Sequence, residues 1–70
     1  MFKEGDILEF DGNGSYSAKK GATATCMGYK NDGELVYVVW NIDEFWNGQD
    51  DGGYFEGNFR KIGEIKQNRK

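Results

Sequence analysis

Eleven glycines and no proline divide this chain into short segments, and that spacing constrains the fold more than any other feature. Glycine weakens helix interiors and supplies the positive φ that tight turns require. Between the glycines, the apolar residues fall in short runs rich in β-branched and aromatic side chains, which favours strands. No convincing amphipathic helix, internal repeat or low-complexity tract interrupts this pattern.

Ile7–Phe10 reads as a first strand, ended by Asp11-Gly12-Asn13-Gly14-Ser15, and a loop then runs to Lys20 with Tyr16 as its one bulky side chain. From Ala22 to Tyr29 small apolar and polar residues alternate, which sends Ala22, Ala24 and Cys26 inward. Lys30-Asn31-Asp32-Gly33 carries the Asp-Gly signal of a hairpin. Leu35–Trp40 returns as the most apolar run. Both of its faces look buriable, so it is expected to be the central strand. Asn41–Gly53 is a long connection, Tyr54-Phe55-Glu56 a short strand, and Gly57–Arg60 a tight turn. A last strand covers Lys61–Ile65, with Ile62 and Ile65 partly inward. The expected organisation is one domain over residues 1–66 and a flexible basic tail over 67–70.

Five short strands with one tight hairpin suit a small, strongly bent antiparallel barrel. Lys3-Glu4-Gly5-Asp6-Ile7-Leu8-Glu9-Phe10 resembles the opening strand of SH3-like barrels, where Gly-Asp precedes an apolar strand. Lys20–Cys26, then Asp32-Gly33 and Val36–Trp40, is similar to the second and third strands of KOW-like modules. The pattern departs from them at Ala24, where those modules place a second glycine. Gly57–Ile62 looks like their closing turn and final strand. The resemblance spans about Phe2 to Ile65 and implies an all-β, five-stranded SH3-like antiparallel barrel. That superfold hosts many unrelated roles, so it does not by itself assign one.

Seventy residues allow one domain and little volume for a deep closed cavity beside the core. Cys26 is the only cysteine, so no intrachain disulfide can form, which suits a reducing cytoplasm. Met1–Asp6 has no apolar run resembling a signal peptide, and no segment is long and apolar enough to span a bilayer. The expected setting is cytoplasmic, and the size and composition suggest a phage or plasmid accessory protein that modulates a host factor.

There is no histidine, so the usual proton shuttle and the Ser-His and Cys-His nucleophile pairs are missing. No phosphate loop and no zinc-ligand set is present, and the expectation is no enzyme, no metal and no cofactor. The carboxylate pairs Asp43-Glu44 and Asp50-Asp51 read either as a solvated acidic loop or as a weak hold on a hard cation. An EF-hand fails, because Asn58 stands where a bidentate Glu is needed.

Charge is unevenly spread. Asn31–Asn58 holds seven acidic residues and no Lys or Arg, whereas the last twelve residues hold five basic and one acidic. Phe45 and Trp46 are consecutive in the acidic stretch and cannot both turn inward if the backbone there is extended. Either one anchors a partner, or Trp46 closes one end of the barrel as a lid. The favoured function is a non-catalytic module that binds a basic protein surface, with Tyr16, Tyr29, Asp43, Glu44, Phe45, Trp46, Asp50, Asp51 and Tyr54 as contact residues. In an SH3-like fold Tyr16, Tyr29, Trp46 and Tyr54 would line one groove, and related Tudor-type barrels use aromatic cages for cationic side chains. The alternative is nucleic-acid binding through Lys19, Lys20, Lys30, Arg60, Lys61 and Lys66, which the net charge of −3 opposes.

Overall fold

Alternation of buried and accessible residues sets the strands. In the computed structural model, which describes residues 1–12, 15–30 and 32–65, β1 (Asp6–Phe10) buries Asp6, Leu8 and Phe10. β2 (Thr23–Lys30) buries Ala24 and Cys26, and β3 (Leu35–Trp40) buries Val36, Val38 and Trp40. β4 (Gly52–Tyr54) and β5 (Phe59–Glu64) complete one antiparallel sheet in the order β4-β3-β2-β1-β5. The protein is all-β. Among the described residues the only helical element is a single 3-10 turn at Glu56–Asn58.

Several expectations hold. Ala22, Ala24 and Cys26 are fully buried, as the alternation predicts. The hairpin between β2 and β3 turns through Asp32 (φ 57°) and Gly33 (φ 91°), the left-handed geometry that Asp-Gly tolerates. Others need correction. The middle strand is β2, not β3, because β3 has only the three-residue β4 on its far side. The outward face of β3 also remains accessible, with Val39 exposed. The short strand is Gly52–Tyr54, and Phe55 is exposed beyond it. Ile62 and Ile65 are exposed, and Phe59 is the β5 side chain in the core. Lys66 and the tail expected at 67–70 lie outside the described residues.

Two bulges explain part of this. In β2, Cys26 pairs with Val38 and Tyr29 with Val36, so Met27 and Gly28 together oppose Tyr37. Gly28 takes φ 113°, which only glycine adopts readily. The extra residue reverses the alternation: Met27 stays exposed and Tyr29 returns to the core side. In β5, Lys61 pairs with Leu8 and Gly63 with Ile7, which leaves Ile62 without a partner on β1. An inward position for Ile62 is lost at that step.

The core combines Leu8, Ala24, Cys26, Val36 and Val38 with an aromatic cluster at the Trp40 end of the sheet. Phe10 lies 5.5 Å from Trp40 and 5.6 Å from Phe59 between ring centroids, both edge-on. Such pairs contribute about 0.5–1.5 kcal/mol each beyond their buried area. Gly12 closes over this cluster. A Cβ there would sit 2.6 Å from Asn58 Oδ1 and 3.0 Å from the Phe10 ring.

Candidate functional site

The connection between β3 and β4 is built from its own side chains upward. Asp43 Oδ1 accepts hydrogen bonds from the backbone N–H of Phe45 (2.8 Å) and Trp46 (3.1 Å), which turns the chain at once. Asn47 (φ 52°) and Gly48 (φ 85°) then reverse it, in the conformation those two residue types accept best. The Trp46 indole N–H donates to the Gln49 carbonyl at 2.7 Å, and its ring is half-buried against the core.

Gln49 is the hub. Its Oε1 accepts from the backbone N–H of Ser17 (2.6 Å) and Ala18 (3.3 Å), and its Nε2 donates to the Tyr54 hydroxyl (2.6 Å). Asn47 Nδ2 donates to the Ser17 carbonyl at 3.1 Å, and Lys19 N–H donates to the Phe45 carbonyl at 2.9 Å. The loop is thereby fixed to the segment 16–19. From the other side, Asp51 Oδ1 accepts from Trp40 N–H at 2.8 Å and the Trp40 indole donates to the Asp50 carbonyl at 2.9 Å. The Tyr54 hydroxyl donates to that same carbonyl.

The predicted contact residues therefore separate into groups. Phe45 is 39% exposed and Ile42 78% exposed, both on the outside of the fixed loop. Trp46 and Tyr16 are half-buried, and Tyr16 packs between Phe10 and Tyr54 at 5.4 and 5.6 Å. Tyr54 belongs to the core. Asp43 and Asp51 each satisfy backbone N–H groups, while no hydrogen bond or ion pair engages the Glu44 and Asp50 side chains among the described residues. Tyr29 stands opposite Val36, in the same row as Tyr54, which pairs with Val36 from β4, so the two lie two strands or about 10 Å apart. There its hydroxyl donates to Glu56 Oε1 and accepts from Phe2 N–H. Burial, reinforced by that bond to Glu56, raises the Tyr29 pKa.

Sequence reasoning did not find Gln49 or Ile42. Gln49 reaches partners 31 and 32 residues away, and nothing local marks it. Ile42 is detectable in principle as an aliphatic residue between Asn41 and Asp43, where no strand alternation buries it.

Among the described residues, three of the candidate cations are paired with carboxylates. Lys20 pairs with Asp11 at 3.3 Å and Arg60 with Glu9 at 2.6 Å. Lys61 lies 3.4 Å from buried Asp6 and 3.3 Å from Glu64. Those two carboxylates raise the Lys61 pKa, Glu64 more than Asp6. Lys30 sits 4.4 Å above the Tyr37 ring. Among the described residues no three His, Cys, Asp or Glu side chains converge as metal ligands. Burial pushes the Cys26 thiol above its ordinary pKa, which suits a core residue and not a nucleophile. Among the described residues no helix is long and apolar enough to cross a membrane. Comparison with known proteins matches no family model, no curated protein and no solved structure.

Proposed function

We propose that this chain is a non-catalytic binding module, on an SH3-like barrel scaffold, that docks a basic surface of a protein partner through the 41–51 loop. The observation that carries this is the pair Ile42 and Phe45, exposed on a loop fixed from beneath by Gln49, Asp43 and Asp51. A large apolar side chain on a preordered loop loses little conformational entropy on binding, so more of its buried area appears as affinity. Glu44 and Asp50, free of structural duty among the described residues, would steer a basic partner and set its orientation. The resemblance to SH3-like modules is compatible with the antiparallel sheet and with the 3-10 turn before the last strand.

Nucleic-acid binding is the weaker alternative, because three of the candidate cations are already paired with carboxylates. The deciding experiment is an affinity pull-down from lysate, with and without nuclease, using the parent and an Ile42→Ala/Phe45→Ala variant. Capture should survive nuclease and be lost in the variant, with unchanged circular dichroism. Loss of capture on nuclease treatment, or equal capture by the variant, would refute the proposal. Trp46 is left intact in this design because its packing against the core would confound folding with binding.

A further inference from the structure

The sheet ends in β4 on one side and β5 on the other, and the two edges differ. β5 is guarded. It carries Arg60 and Lys61, and the register with β1 shifts at Ile62. Charged side chains and bulges are what keep an edge strand from taking up another chain. β4 has neither. Two of its three residues are the glycines Gly52 and Gly53, and the third, Tyr54, is buried. Alternate residues of an edge strand turn their N–H and C=O groups away from their one neighbour. Among the described residues, no backbone hydrogen bond outside the ladder with β3 reaches Gly52, Gly53 or Tyr54.

The surroundings of β4 set what an added strand would carry. Asp50 and Asp51 precede β4 and Glu56 follows it, and no Lys or Arg occurs from Asn31 to Asn58. Lys30 is two strands away, over the Tyr37 ring. Between the acidic ends the side chains are apolar. Leu35 lies over Gly53, its Cδ1 3.1 Å from where a Cβ would stand, and Phe55 is 58% exposed. β4 is about 10 Å long, so a longer strand laid along it reaches the carboxylates at both ends.

We propose that the open edge of β4 takes up an extended segment of the partner, carrying lysine or arginine beside apolar residues, as an added strand. This rests on the reading of the 41–51 loop as the docking site and names the form its partner takes. Main-chain hydrogen bonds to β4 hold the segment, its apolar side chains cover Leu35 and Phe55, and its cations meet Asp50, Asp51 and Glu56. Three residues offer few ladder bonds, so Ile42 and Phe45 on the loop that leads into β4 supply further contact.

The probe is an alternating lysine-leucine octapeptide, titrated into the full chain and followed by amide NMR. The Gly52, Gly53 and Tyr54 amides should shift, and those turned outward should exchange with solvent at least about tenfold more slowly at saturation. A copy N-methylated at its two central residues, one facing each edge of the peptide strand, keeps every side chain but loses those donors. It should bind at least about tenfold more weakly. A glutamate-leucine peptide should not bind. The proposal is overturned if the lysine-leucine peptide fails to bind up to about millimolar concentration. It is equally overturned if the N-methylated or the glutamate-leucine peptide binds as well, or if the β4 amides neither shift nor gain protection. The Ile42→Ala/Phe45→Ala variant separates this proposal from the loop reading. Shifts confined to residues 41–51, with equal binding of the N-methylated copy, remove the added strand and leave the loop. Protection of β4 that persists undiminished in the variant supports the added strand and removes the loop.

Discussion

Among the described residues, Asp6 is the one charged side chain buried with the core, and its partners explain why it stays ionised. The Lys3 backbone N–H donates to Oδ2 at 2.8 Å, and Lys61 Nζ lies 3.4 Å from Oδ1. The Lys3 hydrogen bond is the largest influence lowering the Asp6 pKa, opposed by burial and helped by Lys61. A carboxyl whose folded pKa is depressed adds stability above its unfolded value, and that stability is lost as pH falls through the folded value. For Asp6 the loss therefore begins below the ordinary value of 3.8. Asp6→Asn should melt lower than the parent at neutral pH, with the difference shrinking as pH drops below that point. A melting-temperature series in pH, read by circular dichroism, checks this. A difference that stays constant down to pH 2 would remove Asp6 from the acid response. Gly5-Asp6 was legible in the sequence only as an opening motif. Its ion pair with Lys61 joins residues 55 positions apart, and no local pattern marks it.

At the scale of elements, two glycines separate two kinds of constraint. Gly28 has φ 113° and nothing within 4 Å of where a Cβ would stand, so Gly28→Ala should lose stability only through backbone strain, about 1–2 kcal/mol. Gly12 has no such φ but a crowded Cβ position against Phe10 and Asn58. Gly12→Ala should cost about 1–3 kcal/mol through displaced packing. Urea titration of both variants measures these losses. The contrast predicts that Asn58→Ala, which removes the closest atom, relieves part of the Gly12→Ala loss and none of the Gly28→Ala loss. Ala22, Ala24 and Cys26 could be placed from sequence because a strand alternates strictly until something interrupts it. Tyr29 could not, because the bulge at Met27-Gly28 reverses the alternation and is set by pairing with Tyr37. The loop illustrates the same limit. Its acidic and aromatic content was visible in the chain, but the anchoring role of Gln49 arises from contacts with Ser17, Ala18 and Tyr54. Gln49→Ala leaves the Ser17 and Ala18 amides without their acceptor. Stability should fall by about 1–3 kcal/mol, and hydrogen exchange at those two amides should rise more than at β2 amides. Uniformly faster exchange would mean that Gln49 supports the whole fold and not the loop in particular.

For the whole molecule, negative charge is concentrated in one loop, and salt reports on it. The 41–51 loop carries Asp43, Glu44, Asp50 and Asp51 with no basic residue of its own. Attraction between the loop and a basic partner is screened as the Debye length shrinks from about 14 Å at 50 mM salt to about 4 Å at 500 mM. Association through the loop should then slow by roughly tenfold or more, chiefly in its on-rate. Glu44→Gln/Asp50→Gln should flatten this response. Titration with a synthetic lysine-leucine peptide, read by surface plasmon resonance at several salt concentrations, gives the on-rate. If the variant slows with salt as steeply as the parent, these two carboxylates do not steer the encounter, and the other charges of the chain govern it.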